Sequence, residues 1–207
     1  MSDRLILFGG TFNPIHNGHL ISARSAAEKL QADRVVLIPS LNPPHRLDES
    51  LPAATVRLEM AKLAVAGNPI FEVSDTEIQR GGTSFTFDTV SHFRGELGPD
   101  AELIWLIGAD TLPELATWHR VEELIRICRV VTLRRPGWEA PDLGALRLRL
   151  GDDAVQSLQA DAIESDRIGI SATEIRRRVA AGMSIRYLVP ESVDRHIRDS
   201  GLYSDSA

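Results

Sequence analysis

The sequence has few of the features that would place a protein outside the cell or in a membrane. It has a single cysteine, Cys128, which excludes an internal disulfide and favours a reducing compartment. No apolar run approaches the roughly 20 residues of a membrane helix, and the first ten residues lack the apolar core of a signal peptide. We therefore expect a cytoplasmic protein with no membrane partner.

A surplus of positive charge and several catalytic signatures are also missing. The formal net charge is −6, so nucleic acid is not an expected partner, and any nucleotide binding would have to be local. The absence of Gly-x-x-x-x-Gly-Lys-Ser/Thr excludes a P-loop enzyme. The absence of Gly-x-Gly-x-x-Gly and Gly-x-Ser-x-Gly argues against a dehydrogenase and a serine hydrolase. His16 and His19 lack the cysteine cluster or His-Glu-x-x-His pattern of a zinc site, so we predict no metal ligands in the chain.

The sequence does contain a regular alternation of short apolar runs and helical patterns. The apolar runs predict strands at residues 5–8, 35–38, 71–73, 103–107 and 130–133. Helical patterns cover residues 20–30, 55–66 (with Thr55 as the cap), 87–97, 171–182 (with Ser171 and Glu174 as a capping box) and 190–201. This alternation predicts an α/β fold, a Rossmann-like parallel sheet flanked by helices. We expect a single domain, residues 1–207, with a small helical C-terminal part.

Two segments depart from this alternation. Four prolines between Pro39 and Pro52 exclude a regular helix there, and we predict a long loop. Residues 137–165 mix glycine, proline and acidic residues with scattered leucines, which favours a loop followed by a helix.

The most informative segment is residues 8–19, Phe-Gly-Gly-Thr-Phe-Asn-Pro-Ile-His-Asn-Gly-His. It joins the first predicted strand to the first predicted helix, where open α/β sheets bind ligands. Gly9 and Gly10 would let a ligand approach the backbone closely, and a helix N-terminus favours an anion. His16 and His19 add two nitrogen donors at the same place. Two surface histidines without a function are the alternative, but their position favours a phosphate-binding turn.

A second polar motif, Ile-Ser-Ala-Thr-Glu-Ile-Arg, opens the helix predicted after residue 170. An ordinary capping box accounts for Ser171 and Glu174 but not for Thr173. Hydroxyl groups at a helix N-terminus, with Arg176 one turn inside, are also typical of a polyphosphate site. The next two arginines are expected to face solvent.

Together these two motifs resemble the signature of the nucleotidyltransferase superfamily with a His-x-Gly-His turn. Within it, the chain most resembles the bacterial nicotinate-nucleotide adenylyltransferases. Further matching segments are Pro-Pro-His-Arg (43–46), Thr-Ser-Phe-Thr-Phe-Asp-Thr (83–89), Gly-Ala-Asp (108–110), Thr-Trp-His (117–119), Arg-Pro-Gly (135–137) and Gly-Leu-Tyr (201–203). The resemblance implies an enzyme of NAD biosynthesis that transfers the adenylyl group of ATP to nicotinate mononucleotide and releases pyrophosphate. Mg²⁺ would enter with the ATP, and the resemblance leaves a homo-oligomer open.

The resemblance also implies roles for particular residues. His16 and His19 would be the catalytic residues, in contact with the ATP phosphates. The implied ATP-binding residues are Gly9, Gly10, Thr11, Phe12, His16, His19, Gly108, Asp110, Ser171, Thr173 and Arg176. The implied mononucleotide-binding residues are His45, Arg46, Thr83, Ser84, Phe85, Thr86 and Trp118.

Four of these roles have a stated chemistry. Trp118 would stack on the pyridine ring, Arg46 would meet the mononucleotide phosphate, and residues 83–86 would hold the nicotinate carboxylate. Asp110 would accept from ribose hydroxyls, although an aspartate at that place is also an ordinary helix cap.

Other functions remain open from the sequence. The nearest are adenylyl transfer to nicotinamide mononucleotide or to phosphopantetheine, against which Trp118 and residues 83–86 argue. A non-catalytic nucleotide-binding protein on the same fold is a third possibility. The presence of His16, His19 and Arg176 argues for catalysis.

Overall fold

The computed structural model describes residues 3–44, 51–134, 137 and 141–204. Its strands form one parallel sheet in the order β3-β2-β1-β4-β5-β6. Their bounds are β1 (Arg4–Gly10), β2 (Arg34–Pro39), β3 (Phe71–Val73), β4 (Glu102–Gly108), β5 (Arg129–Arg134) and β6 (Ile163–Glu164). The predicted fold class and the five predicted strands are confirmed, and β6 is additional.

Helices of the described residues cover both faces of this sheet. They are α1 (Asn17–Leu30), α2 (Ala54–Val65), α3 (Thr76–Arg80), α4 (Thr86–Leu97), α5 (Val121–Ile127), α6 (Gly144–Leu150), α7 (Asp152–Ala160), α8 (Ala172–Ala180) and α9 (Glu191–Asp199). Two 3₁₀ segments, Ala109–Thr111 and Pro113–Thr117, follow β4. In these ranges no helix is long and apolar enough to cross a bilayer.

The start of α8 follows the predicted capping rule and the start of α2 does not. The Ser171 hydroxyl accepts a hydrogen bond from the Glu174 backbone N–H at 3.2 Å, which confirms the serine cap. The Glu174 carboxylate accepts from Arg177 and does not complete the predicted capping box. Thr55 was expected to cap α2, and this prediction is wrong. The N-cap is Ala53, whose carbonyl accepts the backbone N–H groups of Val56 and Arg57, so the helix begins ahead of the threonine.

The segment predicted as a loop and a helix is more regular than expected. Its described part contains α6, α7 and β6. Gly151, at φ +84°, separates two short helices whose buried leucines are too few to show a clear period. β6 has only two residues, and it forms by pairing with the end of β5.

Successive residues of each central strand pack into two different cores. Ile6 of β1 lies in the core beneath α1, α2, α8 and α9, whereas Leu5 and Leu7 lie in the core beneath α4 to α7. In β4, likewise, Ile104 lies in the first of these cores and Trp105 in the second. Burial on both faces explains why these strands are nearly continuous apolar runs.

The strand order decides where a ligand can bind. From β1 the chain runs outward to β2 and β3, and then returns to the other side of β1 to build β4, β5 and β6. The helices that follow β1 and β4 therefore diverge and leave a crevice at the carboxyl ends of these two strands. The His-x-Gly-His turn follows β1 and lies at this crevice.

Candidate active site

Two adjoining cavities occupy the crevice at the ends of β1 and β4. The larger, about 600 Å³, lies between these ends, the segment after β2 and the N-terminus of α4. The smaller, about 430 Å³, lies against the N-terminus of α8. Their shared lining residues are Phe8, Thr11, Phe12, His19 and Gly108. A ligand that extends from one cavity into the other must therefore pass the His-x-Gly-His turn.

Most of the predicted site residues line one cavity or both. The larger cavity contains Gly9, Gly10, Thr11, Phe12, His19, Ser84, Phe85, Thr86, Gly108 and Trp118. The smaller contains Thr11, Phe12, His16, His19, Gly108, Asp110, Ser171, Thr173 and Arg176. Thr83 is exposed and does not belong to either lining. His45 and Arg46 lie outside the described residues.

The two histidines cap α1 through their own rings. His16 is the N-cap, and its Nδ1 accepts the His19 backbone N–H at 3.3 Å. In return, Nδ1 of His19 accepts the His16 backbone N–H at 3.2 Å. This is a capping box built from imidazoles, and the rings stack with their centroids 3.6 Å apart. Because both Nδ1 atoms are acceptors, each neutral ring carries its proton on Nε2 and can donate from there.

Burial keeps both rings neutral near pH 7. Desolvation lowers the pKa of His16 to about 4. Desolvation, together with the neighbouring charge of His16, lowers the pKa of His19 to about 3. The rings therefore act as neutral Nε2–H donors rather than as cations.

The glycines of the turn are required by side chains of the protein. A Cβ on Gly18 would lie 3.0 Å from Nδ1 of His16, so the small residue between the histidines leaves room for the capping ring. A Cβ on Gly9 would lie 2.5 Å from the Trp105 ring, and one on Gly10 would lie 3.1 Å from the Phe12 ring. Close packing of these aromatic rings is thus one reason for glycine at both positions, and the close approach of a ligand stays a prediction.

Arg176 connects α8 to the phosphate-binding turn. Its Nη1 donates to the Asn13 carbonyl at 2.8 Å, and its Nη2 lies 3.4 Å from the Thr173 hydroxyl. Ser171 and Thr173 are exposed at the start of the same helix. Arg177, as expected, points away from the cavities and pairs with Glu174 at 2.8 Å. A guanidinium, two hydroxyls and a helix N-terminus therefore meet at one end of the smaller cavity.

Aromatic rings and a helix N-terminus form the far wall of the larger cavity. Trp118 and His119 follow the second 3₁₀ segment, and the His119 ring lies 4.5 Å from the Phe85 ring. Phe85 is the N-cap of α4 and makes no capping bond through its side chain. The first N–H groups of α4 are thus available at the cavity, which suits an anionic group.

Ser84 has a structural role that the sequence did not indicate. Its Oγ accepts the backbone N–H groups of Leu41 and Asn42 at 2.9 and 3.2 Å. The hydroxyl therefore holds the segment after β2 against the start of α4.

Asp110 lies inside the 3₁₀ segment Ala109–Thr111, with Gly108 at the N-cap position. The alternative of an ordinary helix cap is therefore wrong, and the carboxylate is exposed on the wall of the smaller cavity. This position leaves it free to accept hydrogen bonds from a ligand.

Sequence reasoning missed several residues of the two linings. Trp105 is buried in β4 and reaches the larger cavity, as does Glu77, which is 4% exposed. Oε1 of Glu77 accepts the Thr89 hydroxyl at 2.6 Å, beneath the start of α4. Asp166 and Ile168 line the smaller cavity after β6. No motif marks these residues, because they reach the crevice only through the packing of the sheet and its helices.

Across the described ranges, no three His, Cys, Asp or Glu side chains are grouped as they would be around a metal ion. The residues that line the two cavities do supply N–H, hydroxyl and guanidinium donors. These are groups that bind phosphate and carboxylate oxygens.

Comparison with known proteins agrees with this geometry. The cytidylyltransferase-like family model matches residues 7–178. A "probable nicotinate-nucleotide adenylyltransferase" of Moorella thermoacetica is 42% identical over 200 residues, covering 97% of this chain and 91% of the relative. One of the same name from Marinobacter nauticus is 40% identical, with 96% and 95% coverage.

The fold is shared with solved structures of lower sequence identity. A nicotinic acid mononucleotide adenylyltransferase of Plasmodium falciparum, complexed with NaAD, aligns with a TM-score of 0.75 at 16% identity, covering 98% of both chains. A putative nicotinate-nucleotide adenylyltransferase of Vibrio parahaemolyticus gives 0.70 at 19% identity, covering 99% of this chain and 98% of its own. From the full-length relatives and the family model together, the chain belongs to the cytidylyltransferase-like family and, within it, to the group named nicotinate-nucleotide adenylyltransferases.

Proposed function

We propose that the protein transfers the adenylyl group of ATP to nicotinate mononucleotide, giving nicotinate adenine dinucleotide and pyrophosphate. The observation that carries this proposal is the pair of cavities that meet at the His-x-Gly-His turn. The site binds two nucleotides, one in each cavity, and the reacting phosphates meet beside His19. The names of the full-length relatives point to the same reaction.

The orientation of the substrates follows from the donors in each cavity. The triphosphate lies toward the N-terminus of α8, where Ser171, Thr173 and Arg176 line the smaller cavity. The pyridine ring lies in the larger cavity, against Trp118 and the start of α4. A phosphate oxygen of the mononucleotide then attacks the α-phosphorus of ATP from the side of the larger cavity. A new P–O bond forms, the bond from the α-phosphorus to the α–β bridging oxygen breaks, and pyrophosphate leaves with that electron pair.

The histidines stabilise charge in this reaction and do not act as bases. The attacking phosphate is already an anion, so catalysis rests on positioning and on donors aimed at the phosphoryl oxygens. The Nε2–H groups of His16 and His19 are such donors, and the capping box holds both rings in place before substrate arrives. A neutral imidazole donates a hydrogen bond from Nε2 to the phosphate, whereas an imidazolium could transfer its proton to the attacking phosphate and weaken that nucleophile.

Mg²⁺ enters as part of the ATP substrate. Asp110 and Asp166 line the smaller cavity. Their carboxylate oxygens would accept hydrogen bonds from the water molecules that Mg²⁺ retains. The metal neutralises charge on the departing pyrophosphate. The residues of the chain bind and orient the nucleotide.

Selectivity for the acid over the amide follows from the start of α4. A nicotinate carboxylate offers two acceptor oxygens to the free N–H groups of this helix, and the helix dipole favours its charge. A nicotinamide group would turn N–H donors toward the same N–H groups and leave them unpaired. A site built in this way can reject the mismatched analogue by factors up to about 10⁴.

The test is pyrophosphate release from Mg-ATP with each acceptor offered in turn. We expect turnover with nicotinate mononucleotide and a much lower kcat/KM with nicotinamide mononucleotide or phosphopantetheine. A kcat/KM ratio near one would overturn the acid specificity and leave adenylyl transfer standing. ATP binding without turnover on any acceptor would instead identify a non-catalytic nucleotide-binding protein.

The His19→Ala variant tests the catalytic role of the turn. Loss of one preorganised donor should lower turnover by about 10²–10³-fold while ATP binding changes far less. The matched control is His92→Ala, because His92 is an exposed histidine of α4 outside both cavities. Single-turnover rates of the two variants decide, and a His19→Ala rate within a few-fold of wild type would refute the role.

A further inference from the structure

Arg57 of α2 is buried although its side chain carries a charge. It is 1% exposed and ranks among the largest fully buried side chains of the described residues. Burial lowers its pKa, and a guanidinium remains charged even so. Such a group is stable in the interior only where hydrogen-bond acceptors surround it.

The acceptors that the described chain supplies to Arg57 are three backbone carbonyls from two separate segments. Nη1 donates to Thr11 O at 2.7 Å, Nε donates to Pro52 O at 3.0 Å, and Nη2 lies 3.4 Å from Leu41 O. Thr11 belongs to the phosphate-binding turn and lines both cavities. Leu41 and Pro52 stand at the beginning and the end of the segment that connects β2 to α2.

The described residues of this segment, 40–44 and 51–53, contribute to the larger cavity and not to the smaller. Ser40, Pro43 and Pro44 line the larger cavity, and none of them lines the smaller cavity. The Leu41 backbone N–H is also held by Ser84 Oγ. The guanidinium therefore connects the turn that receives phosphate to the wall of the cavity that receives the acceptor nucleotide.

Arg57 also acts on the turn electrostatically. The Thr11 carbonyl belongs to the peptide whose N–H is that of Phe12, and Phe12 lines both cavities. A cation at the carbonyl oxygen polarises this peptide and strengthens its N–H as a donor toward an anion.

We propose that Arg57 is a positioning residue for the acceptor mononucleotide. It does not touch the reacting atoms. Its planar fork of donors holds the phosphate-binding turn and both ends of the β2–α2 segment at fixed separation, so that the acceptor phosphate is aligned with ATP. This inference rests on the proposed adenylyl transfer. It adds a residue that lies outside both the His-x-Gly-His turn and the Ser-Ala-Thr-Glu-Ile-Arg motif.

Arg94 of α4 offers a matched control. Its guanidinium also binds backbone carbonyls, those of Ala101 and Ile127, both at 2.7 Å. These carbonyls precede β4 and β5, at the amino ends of the strands and opposite the crevice. Arg94 thus has a comparable structural role without any connection to the cavities.

The experiment compares Arg57→Lys, Arg57→Met and Arg94→Met with the wild-type chain. Urea unfolding reports stability, calorimetry reports the Kd of ATP and of nicotinate mononucleotide separately, and pyrophosphate release gives kcat and KM. Misalignment by about 1 Å costs about a hundredfold in rate, so Arg57→Met should lower kcat/KM for the mononucleotide by about that factor. The Kd of ATP should change much less, because two of the three carbonyls belong to the β2–α2 segment, whose described lining residues Ser40, Pro43 and Pro44 border only the larger cavity.

Lysine keeps the charge but not the planar fork that reaches three carbonyls. Arg57→Lys should therefore also lose at least about tenfold in kcat/KM for the mononucleotide. Arg94→Met should lose stability and keep wild-type kinetic constants.

Three outcomes would overturn the proposal. One is a folded Arg57→Met variant with wild-type kinetics, and another is an equal kinetic loss in Arg94→Met. If Arg57→Met does not fold, a folded Arg57→Lys with wild-type kcat/KM is the third. Absence of turnover in the wild-type chain would refute the proposed function instead, and the Kd of the mononucleotide for wild type and Arg57→Lys would then test the positioning role by itself.

Discussion

At the scale of single residues, two side chains of the same type carry structure and chemistry together. His16 and His19 use Nδ1 to cap α1 and keep Nε2 for a ligand. The spacing of three residues is that of an N-cap and an N3 position, and Gly18 between them leaves room for the first ring. The signature is thus a helix-capping motif, and in the proposed mechanism the capping rings also donate hydrogen bonds to phosphate.

The depressed pKa values of these histidines make stability depend on pH. In the unfolded chain a histidine takes up its proton near pH 6.5, whereas the folded chain resists protonation until about pH 4 at His16 and about pH 3 at His19. The unfolded state therefore binds more protons in this interval, so stability is greatest above pH 6.5 and falls as the pH is lowered.

The His16→Asn variant tests this dependence. Asparagine is a good N-cap and can still accept the His19 N–H, but it does not titrate. Between pH 6.5 and 5, the loss of unfolding free energy attributable to this pair should be about half as steep in the variant. Urea unfolding at several pH values measures both slopes, and identical slopes would show that His16 is protonated alike in the folded and unfolded chains.

At the scale of secondary-structure elements, the N-termini of three helices face the crevice. α1 contributes the histidine turn, α4 starts at the larger cavity and α8 starts at the smaller one. Each presents N–H groups and a partial positive charge to an anion. A chain with a net charge of −6 can bind anionic substrates because this local field acts within the cavities.

The arginines of α8 test this element. Arg176→Ala removes a guanidinium from the smaller cavity and from the Asn13 carbonyl. Loss of a charged hydrogen bond of about 1.5–3 kcal/mol should raise the KM for ATP at least about tenfold and lower turnover. Arg177→Ala is the control, since Arg177 is exposed and pairs with Glu174. Equal effects on the KM for ATP would mean that the wrong arginine has been assigned to the site.

At the scale of the whole molecule, the strand order creates two adjoining cavities, which in the proposed function hold two ligands whose phosphates meet. Only at the ends of β1 and β4 do the turn, the second 3₁₀ segment and the start of α8 approach one another. Arg176 and Asn13 are 163 residues apart in sequence and form one hydrogen bond there. The division into two cavities predicts that a substitution in one cavity weakens the binding of one substrate and leaves the Kd of the other nearly unchanged.

Trp118→Ala should affect binding in the larger cavity only, because Trp118 lines that cavity and not the smaller one. A lost aromatic stack should weaken binding of the mononucleotide by about three- to tenfold and leave the Kd of ATP nearly unchanged. Trp118→Phe keeps a ring and should retain most of the affinity. Calorimetry with each ligand alone separates the cases, and a loss confined to ATP would place Trp118 at the other end of the site.

The sequence alone determined those features that depend on neighbouring residues. Buried parallel strands are continuous apolar runs, so five strands were visible, and the serine cap at residue 171 is local and recognisable. The capping box formed by His16 and His19 emerged only from the structure. The two motifs were enough to assign the family. The site residues that were predicted within these motifs all line the cavities of the crevice.

Only the tertiary structure decided the features that arise between distant segments. β6 is too short to have a pattern and exists by pairing with β5. A reason for Gly9 is the Trp105 ring of β4, and Arg57 is a cation outside any motif whose partners come from two other segments. Local patterns report the propensity of a segment, whereas these contacts depend on which strands become neighbours. That arrangement is a property of the packed sheet and not of any single stretch of the chain.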